Sequence, residues 1–323
     1  MIRACFVLPV AALALGAPIS CAGAAPAHQY PNKNVTLVIP FPPGGSTDLV
    51  GRLLAQHLGE AWTQTVVVEN RPGGNGMLGP TAVAKSKADG YTLLLAAPTI
   101  ATAKVTMKVL PIDPMKDLDP ISQLIEVPYV ISVSSKIEAN SLKELTELAK
   151  ANPGKLNYGW FSNRLTTEYF ADSAGIKLTP VGYRGEALMM AALAAGEVQI
   201  GLASPVNVAE YQSRGQIKAL AVTGERRLDA FKGVPTIGEA GLPEIADAVV
   251  WFALFAPAGT PIEIRRKIAA DVATFTKSTR VVEKLNEAGF QPKSSSPEEL
   301  GQYLMRETER AVKIADKIQL EKQ

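Results

Sequence analysis

Cysteine and histidine are nearly absent from this chain of 323 residues, which holds two of each: Cys5, Cys21, His28 and His57. Both cysteines fall in an N-terminal stretch that reads as a removable leader. The mature chain would then have no disulfide, no thiolate nucleophile and no cysteine metal site. A single helix histidine without cysteine builds neither a zinc site nor a Ser-His-Asp triad, so His57 reads as a surface or half-buried helix residue. Charge is nearly balanced, at +2 overall. No basic patch with interleaved aromatics occurs, which argues against a nucleic-acid partner. Beyond the leader no apolar run reaches the roughly 20 residues that cross a bilayer. Repeats and low-complexity tracts are absent as well.

What is present begins with an export signal. Met1-Ile2-Arg3 supplies a positive charge, Phe6 to Leu15 an apolar stretch broken by Pro9, and Ala22-Gly23-Ala24 a small-residue cleavage pattern. This predicts a secretory signal over residues 1–24, cut after Ala24. Lipid attachment at Cys21 is the alternative, although Pro18 stands where such a signal usually has leucine. The remaining length, about 300 residues, suits two domains better than one core.

Strand-like and helix-like segments alternate along the mature chain. Val35–Ile39, Thr65–Glu69, Tyr91–Ala97, Tyr129–Val133, Gln199–Ala203, Ile217–Val222 and Val249–Phe255 read as strands. Helices are predicted over Pro80–Lys87, Glu186–Ala195 and Arg280–Glu287, and after capping boxes at Ser141/Glu144, Thr236/Glu239, Thr260/Glu263 and Ser296/Glu299. Alternating βα units predict an α/β fold of mostly parallel sheets flanked by helices, with ligands beyond the strand ends.

The segment Pro40-Phe-Pro-Pro-Gly-Gly-Ser-Thr-Asp48 joins the first strand to an amphipathic helix. That helix places Val50, Leu53, Leu54 and Leu58 on one face. Ser46 or Thr47 is the expected N-cap. A glycine loop entering a helix presents free N–H groups at the positive end of the helix dipole, a setting for anions. Without a P-loop lysine, a carboxylate suits it better than a phosphate. Asp48 has two readings: dipole pairing in the first helical turn, or a partner for a ligand ammonium. A second glycine run, Gly74-Asn-Gly76-Met-Leu-Gly79, matches the dinucleotide fingerprint G-x-G-x-x-G. Arg71-Pro72 separates it from the preceding strand, and the next strand ends in Ala-Ala-Pro with no acid for a ribose. It reads instead as a loop needing positive φ at several positions.

Taken in order and spacing, several segments carry a wider likeness: Tyr30-Pro31, Pro40–Asp48, Val66–Gly74 with Gly76 and Gly79, Asp89–Leu94, Tyr183-Arg-Gly185, Glu239–Pro243, Trp251 and Ala256–Pro261. The chain resembles the Bug family, the periplasmic substrate-binding proteins of tripartite tricarboxylate transporters. That resemblance implies a two-domain flytrap with two crossover strands, one domain from residues 25–127 plus 250–323 and the other from 128–249. It implies a monomeric, non-enzymatic receptor in the periplasm, without cofactor or metal, that passes a small organic carboxylate to a two-subunit integral membrane permease. The implied ligand contacts are Phe41, Pro43, Gly44, Gly45, Ser46, Thr47, Asp48 and Thr99 from the first domain. From the second they are Gly159, Trp160, Ser162, Arg164, Tyr183, Arg184 and Ser204.

The chain departs from the family pattern in the second domain. Tyr158-Gly-Trp-Phe-Ser-Asn-Arg-Leu165 is about four residues shorter than the usual glycine- and serine-rich loop, and Arg164 stands where histidine is expected. Gly182 replaces the proline of a Val-Pro-Tyr pattern. An Arg164 fork and stacking by Trp160 or Phe161 would favour an acid with a ring or an extended apolar part over a compact dicarboxylate. A periplasmic sensor read by a signalling partner would use the same pocket; an exported enzyme working through carboxylates alone is disfavoured by the missing cysteine, the scarce histidine and the lack of a carboxylate pair or metal motif.

Overall fold

The computed structural model describes residues 30–161, 164–183, 185–287 and 289–322. The leader, both cysteines, His28, Ser162 and Arg184 lie outside the described residues.

The chain runs through Val35–Ile39 (β1), Ser46–Trp62 (α1), Val66–Asn70 (β2), Leu78–Ala84 (α2), Thr92–Ala96 (β3), Thr99–Thr106 (α3), Pro114–Asp117 (α4) and Leu118–Pro128 (β4). It then builds a second unit from Val130–Ser134 (β5), Leu142–Ala151 (α5), Asn157–Trp160 (β6), Leu165–Ser173 (α6), Thr179–Gly182 (β7), Glu186–Ala195 (α7), Ile200–Ala203 (β8), Pro205–Ser213 (α8) and Ile217–Val222 (β9). It returns as Val249–Pro257 (β10), Ile262–Phe275 (α9), Thr279–Glu287 (α10), Gln291–Pro292 (β11) and Pro297–Lys317 (α11).

Two sheets result, ordered β11-β4-β10-β3-β1-β2 and β7-β6-β8-β5-β9. β1 pairs in parallel with β2 and β3, and β6 with β7 and β8, as βα crossovers require. The strands nearest the crossovers, β4, β5 and β10, run antiparallel to their neighbours. Each sheet is therefore mixed rather than mostly parallel. The two passages between sheets lie side by side, because Pro128 and Val249 are register partners of β4 and β10. Tyr129 fills the single-residue gap before β5. Its amide donates to Thr223 Oγ1 at 2.8 Å, and its carbonyl accepts from the Thr223 amide at 2.8 Å.

The cores follow the apolar periodicity. Val50, Leu54 and Leu58 of α1 are buried against Leu37 and Ile39 of β1 and against Ile268, Val272 and Phe275 of α9, with Leu53 at the margin. Tyr158, Phe170, Ile131 and Leu202 centre the second unit's core. His57 is half-buried on α1, 2.9 Å from Thr274 Oγ1 and edge-on to Phe275. In the second glycine run Gly73, Gly74, Asn75 and Gly76 all have positive φ, so the segment is a loop whose glycines avoid a Cβ penalty.

Not every capping signal opens a helix. Ser296 and Glu299 form the reciprocal box at α11. Ser141 caps α5, but the Glu144 carboxylate takes the Asn140 amide instead. Thr236 and Glu239 bond reciprocally, yet they close a turn that Gly241, at φ 98°, and Pro243 end before a helix can grow. The Thr260 hydroxyl donates to the Pro257 carbonyl, leaving α9 without a side-chain cap. β4 escapes a reading by apolar runs because Asp119, Pro120, Ser122, Gln123 and Glu126 interrupt it.

Candidate functional site

The site begins with the backbone of the first glycine loop. Gly44 turns the chain at φ 86°, and Gly45 (φ −85°, ψ 175°) is the N-cap of α1, with no side chain capping it. Ser46 and Thr47 lie inside the helix rather than at its cap, so the expected side-chain cap is replaced by a bare glycine. Helix geometry leaves the first-turn amides without intrahelical acceptors. Asp48 does not offer its carboxylate to a ligand. It is buried, accepts the Gly44 amide at 2.9 Å, Arg52 Nε at 2.8 Å and Asn70 Nδ2 at 3.0 Å, and so ties the loop to α1 and β2. The Arg52 hydrogen bond, then those from Gly44 and Asn70, hold its pKa down at about 2 against the opposing effect of burial.

α3 also lacks a side-chain cap at its N-cap, Pro98, but it starts as a tight turn: the Ile100 amide donates to the Ala97 carbonyl at 3.1 Å and the Ala101 amide to the Pro98 carbonyl at 3.0 Å, which leaves the Thr99 amide toward the cavity. α8 differs: its N-cap residue Ser204 donates its amide to the Glu186 carboxylate of α7 at 2.5 Å.

These helix starts open onto a cavity of about 660 Å³ between the two sheets. Phe41, Gly44, Gly45, Ser46, Thr47, Thr99 and Ser204, all expected from sequence, line it. Its walls also carry Tyr129, Phe161, Thr166, Val206, Val249, Val250, Phe252 and Phe290, and one side is closed by Glu307, Arg310, Ala311 and Ile314 of α11. Burial, with the nearby Glu186 charge adding to it, pushes the Tyr129 hydroxyl up to about 12.

Six expected contacts do not line this cavity. Pro43 and Asp48 belong to the loop but sit off the wall. Gly159 is buried where a Cβ would stand 2.6 Å from Met189 Cγ, so its role is close packing of β6 on α7. Trp160 packs on the second unit's core and lies over Gly182, whose Cβ would stand 2.9 Å from Trp160 Cζ2. Arg164 Nε is 3.5 Å from Glu168 Oε1, and Glu168 in turn accepts from the buried Tyr158 hydroxyl at 2.6 Å. Tyr183 is half-buried against the core on the α7 side. Neither the Arg164 nor the Trp160 side chain, expected to give the ligand fork and the stacking, is among those lining the cavity. Phe161, next along the chain, is the aromatic that reaches the cavity.

Sequence reading missed α11 as a wall. Glu307, Arg310, Ala311 and Ile314 fall at i, i+3, i+4 and i+7, a helical face visible in the sequence. Nothing in that periodicity says what the face meets. Arg310 pairs with Asp247 and Glu307 and stacks 5.0 Å from the Tyr169 ring. Among the described residues no group of three or more His, Cys, Asp or Glu is placed to hold a metal, and no helix is long and apolar enough to cross a membrane.

Residues 50–320 match the family described as the tripartite tricarboxylate transporter family receptor. The chain belongs to that family. Protein BugT of Bordetella pertussis is 34% identical over 307 residues, covering 93% of this chain and 92% of the relative. The solved structure of R. palustris Rpa4515 with adipate has a TM-score of 0.72 at 34% identity, covering 89% of this chain and 97% of the other. MatC from Rhodopseudomonas palustris, with bound malate, has a TM-score of 0.68 at 27% identity, covering 88% and 99%. The fold of this receptor is thus the two-domain α/β fold of periplasmic binding proteins, and its family and structural neighbours are solute-binding proteins rather than enzymes.

Proposed function

We propose that this receptor is an exported, monomeric solute-binding protein. It captures a small organic carboxylate between a lobe of residues 25–127 plus 250–323 and a lobe of residues 128–249, and delivers it to a two-subunit membrane permease. The observation that carries the reading is the convergence of two helix starts without side-chain caps, α1 at Gly45 and α3 at Pro98, on one interlobe cavity. The first-turn amides of α1 and the Thr99 amide of α3 can take carboxylate oxygens, and the two dipoles favour negative charge. Adipate and malate in the two structural neighbours belong to the same chemical class. Calorimetric titration with a panel of organic acids tests the reading, with the ligand recovered afterwards by chromatography. One saturable site and an unchanged ligand are expected. Absence of binding across the panel, or conversion of the ligand, would overturn it.

A further inference from the structure

The cavity is built unevenly for charge. In the first lobe, Asp48 in the first turn of α1 is paired with Arg52 and lies off the cavity wall, and the first turn of α3 carries no acid. In the second lobe, the Glu186 carboxylate already sits at the start of α8, where it takes the Ser204 amide at 2.5 Å. Glu287 and Glu307 line the wall from the first lobe, and Arg310, the cation among the described lining residues, is held by Asp247 and Glu307. Phe161, Val206, Phe252 and Phe290 give the same cavity an apolar surface.

Resting on the carboxylate-receptor reading above, we propose that the cavity selects an acid with one carboxylate on an extended apolar body. Glu186 is the residue that rejects a second carboxylate. The ligand's anionic group sits at the starts of α1 and α3. Its body crosses the apolar surface and ends near Glu186. A carboxylate at that far end would meet a fixed negative charge in a partly desolvated cleft, which is strongly unfavourable. A methyl terminus meets no such opposition and gains from leaving water.

Three six-carbon ligands with matched chains separate the possibilities: hexanoate, adipate and 6-aminohexanoate. Calorimetry on the purified chain should rank hexanoate above adipate by about tenfold or more, equivalent to about 1.4 kcal/mol. Glu186→Gln keeps an oxygen to accept the Ser204 amide but removes the charge. It should narrow the hexanoate-to-adipate ratio at least about threefold (roughly 0.6 kcal/mol) by strengthening adipate, with the thermal melt confirming a folded variant. Adipate equal to or ahead of hexanoate would overturn the one-carboxylate assignment. So would binding of none of the three. 6-Aminohexanoate ahead of hexanoate would show the acids to be a cation subsite and overturn it equally. An unchanged ratio in Glu186→Gln would remove Glu186 from selectivity. The receptor reading itself falls only if the whole acid panel fails to bind.

Discussion

The carboxylate of Asp48 reaches back four residues to accept the Gly44 amide at 2.9 Å, closing the glycine loop onto the helix it introduces. The same carboxylate binds Arg52 and Asn70, so one buried acid fixes the loop to both α1 and β2. The amides of the helix start are thereby aimed before any ligand arrives, which lowers the ordering cost of binding.

This latch makes stability depend on acid pH. The folded pKa of Asp48 lies at about 2, below the unfolded value of about 3.9. A depressed carboxylate contributes stability that is present above the unfolded pKa and lost as pH falls through the folded one. Melting temperature should therefore drop between about pH 4 and pH 2 with a contribution that Asp48→Asn removes. Thermal melts of both proteins across that range check it. Parallel curves for parent and variant would show that the latch carries no linked proton.

Gly45 separates binding from folding. Its φ of −85° and ψ of 175° suit any residue, and an added Cβ meets nothing nearer than the Pro42 carbonyl at 3.9 Å. A side chain there would shade the amides that open toward the cavity. Gly45→Val should melt within a few degrees of the parent yet bind its best acid at least about tenfold more weakly, a loss of about 1.4 kcal/mol. Full affinity in the folded variant would move the anion site away from the start of α1. Gly44 is the wrong position for this test, because its φ of 86° strains any L side chain.

The sequence disclosed local structure wherever one physical signal dominated. β1 reads correctly because it is apolar but for Thr36 and almost wholly buried, and the bounds of α7 are legible from glycines on either side of an alanine-rich run. The loop at Gly44–Thr47 was legible because glycine, a strand end and an amphipathic helix coincide. The far wall was not. Trp160 and Phe161 are neighbours, yet they pack against cores on opposite sides of their sheet. Which of them meets the cavity depends on strand direction and register, and composition does not fix these. Arg310 looks like an exposed helical arginine in sequence, and only the return of α11 across both lobes places it beside Tyr169. Asp48 was read as a dipole partner or a ligand contact. Its work as a latch needs Asn70, a residue 22 positions away and brought close by β-pairing.

Trp160 and Gly182, two of the positions at which the chain departs from its family's pattern, are coupled. They are register partners on β6 and the edge strand β7. The indole lies so that a Cβ at Gly182 would stand 2.9 Å from Cζ2 and 3.2 Å from Cε2. An aromatic ring over a cross-strand glycine shields an edge position that otherwise has no side chain to pack. Gly182 belongs to a regular strand and has no positive φ, so Ala is penalised there by the ring and not by its own backbone. Gly182→Ala should cost about 1 kcal/mol or more by overpacking. In a Trp160→Leu background the same change should cost less, leaving a coupling energy above about 0.5 kcal/mol in the double-mutant cycle. Chemical denaturation of the four proteins measures it. Additive costs would mean that the indole yields freely and that the two departures are independent. A coupled pair would mean that the Trp160 ring is seated on the strand beneath it, leaving Phe161 as the aromatic of that loop on the cavity wall.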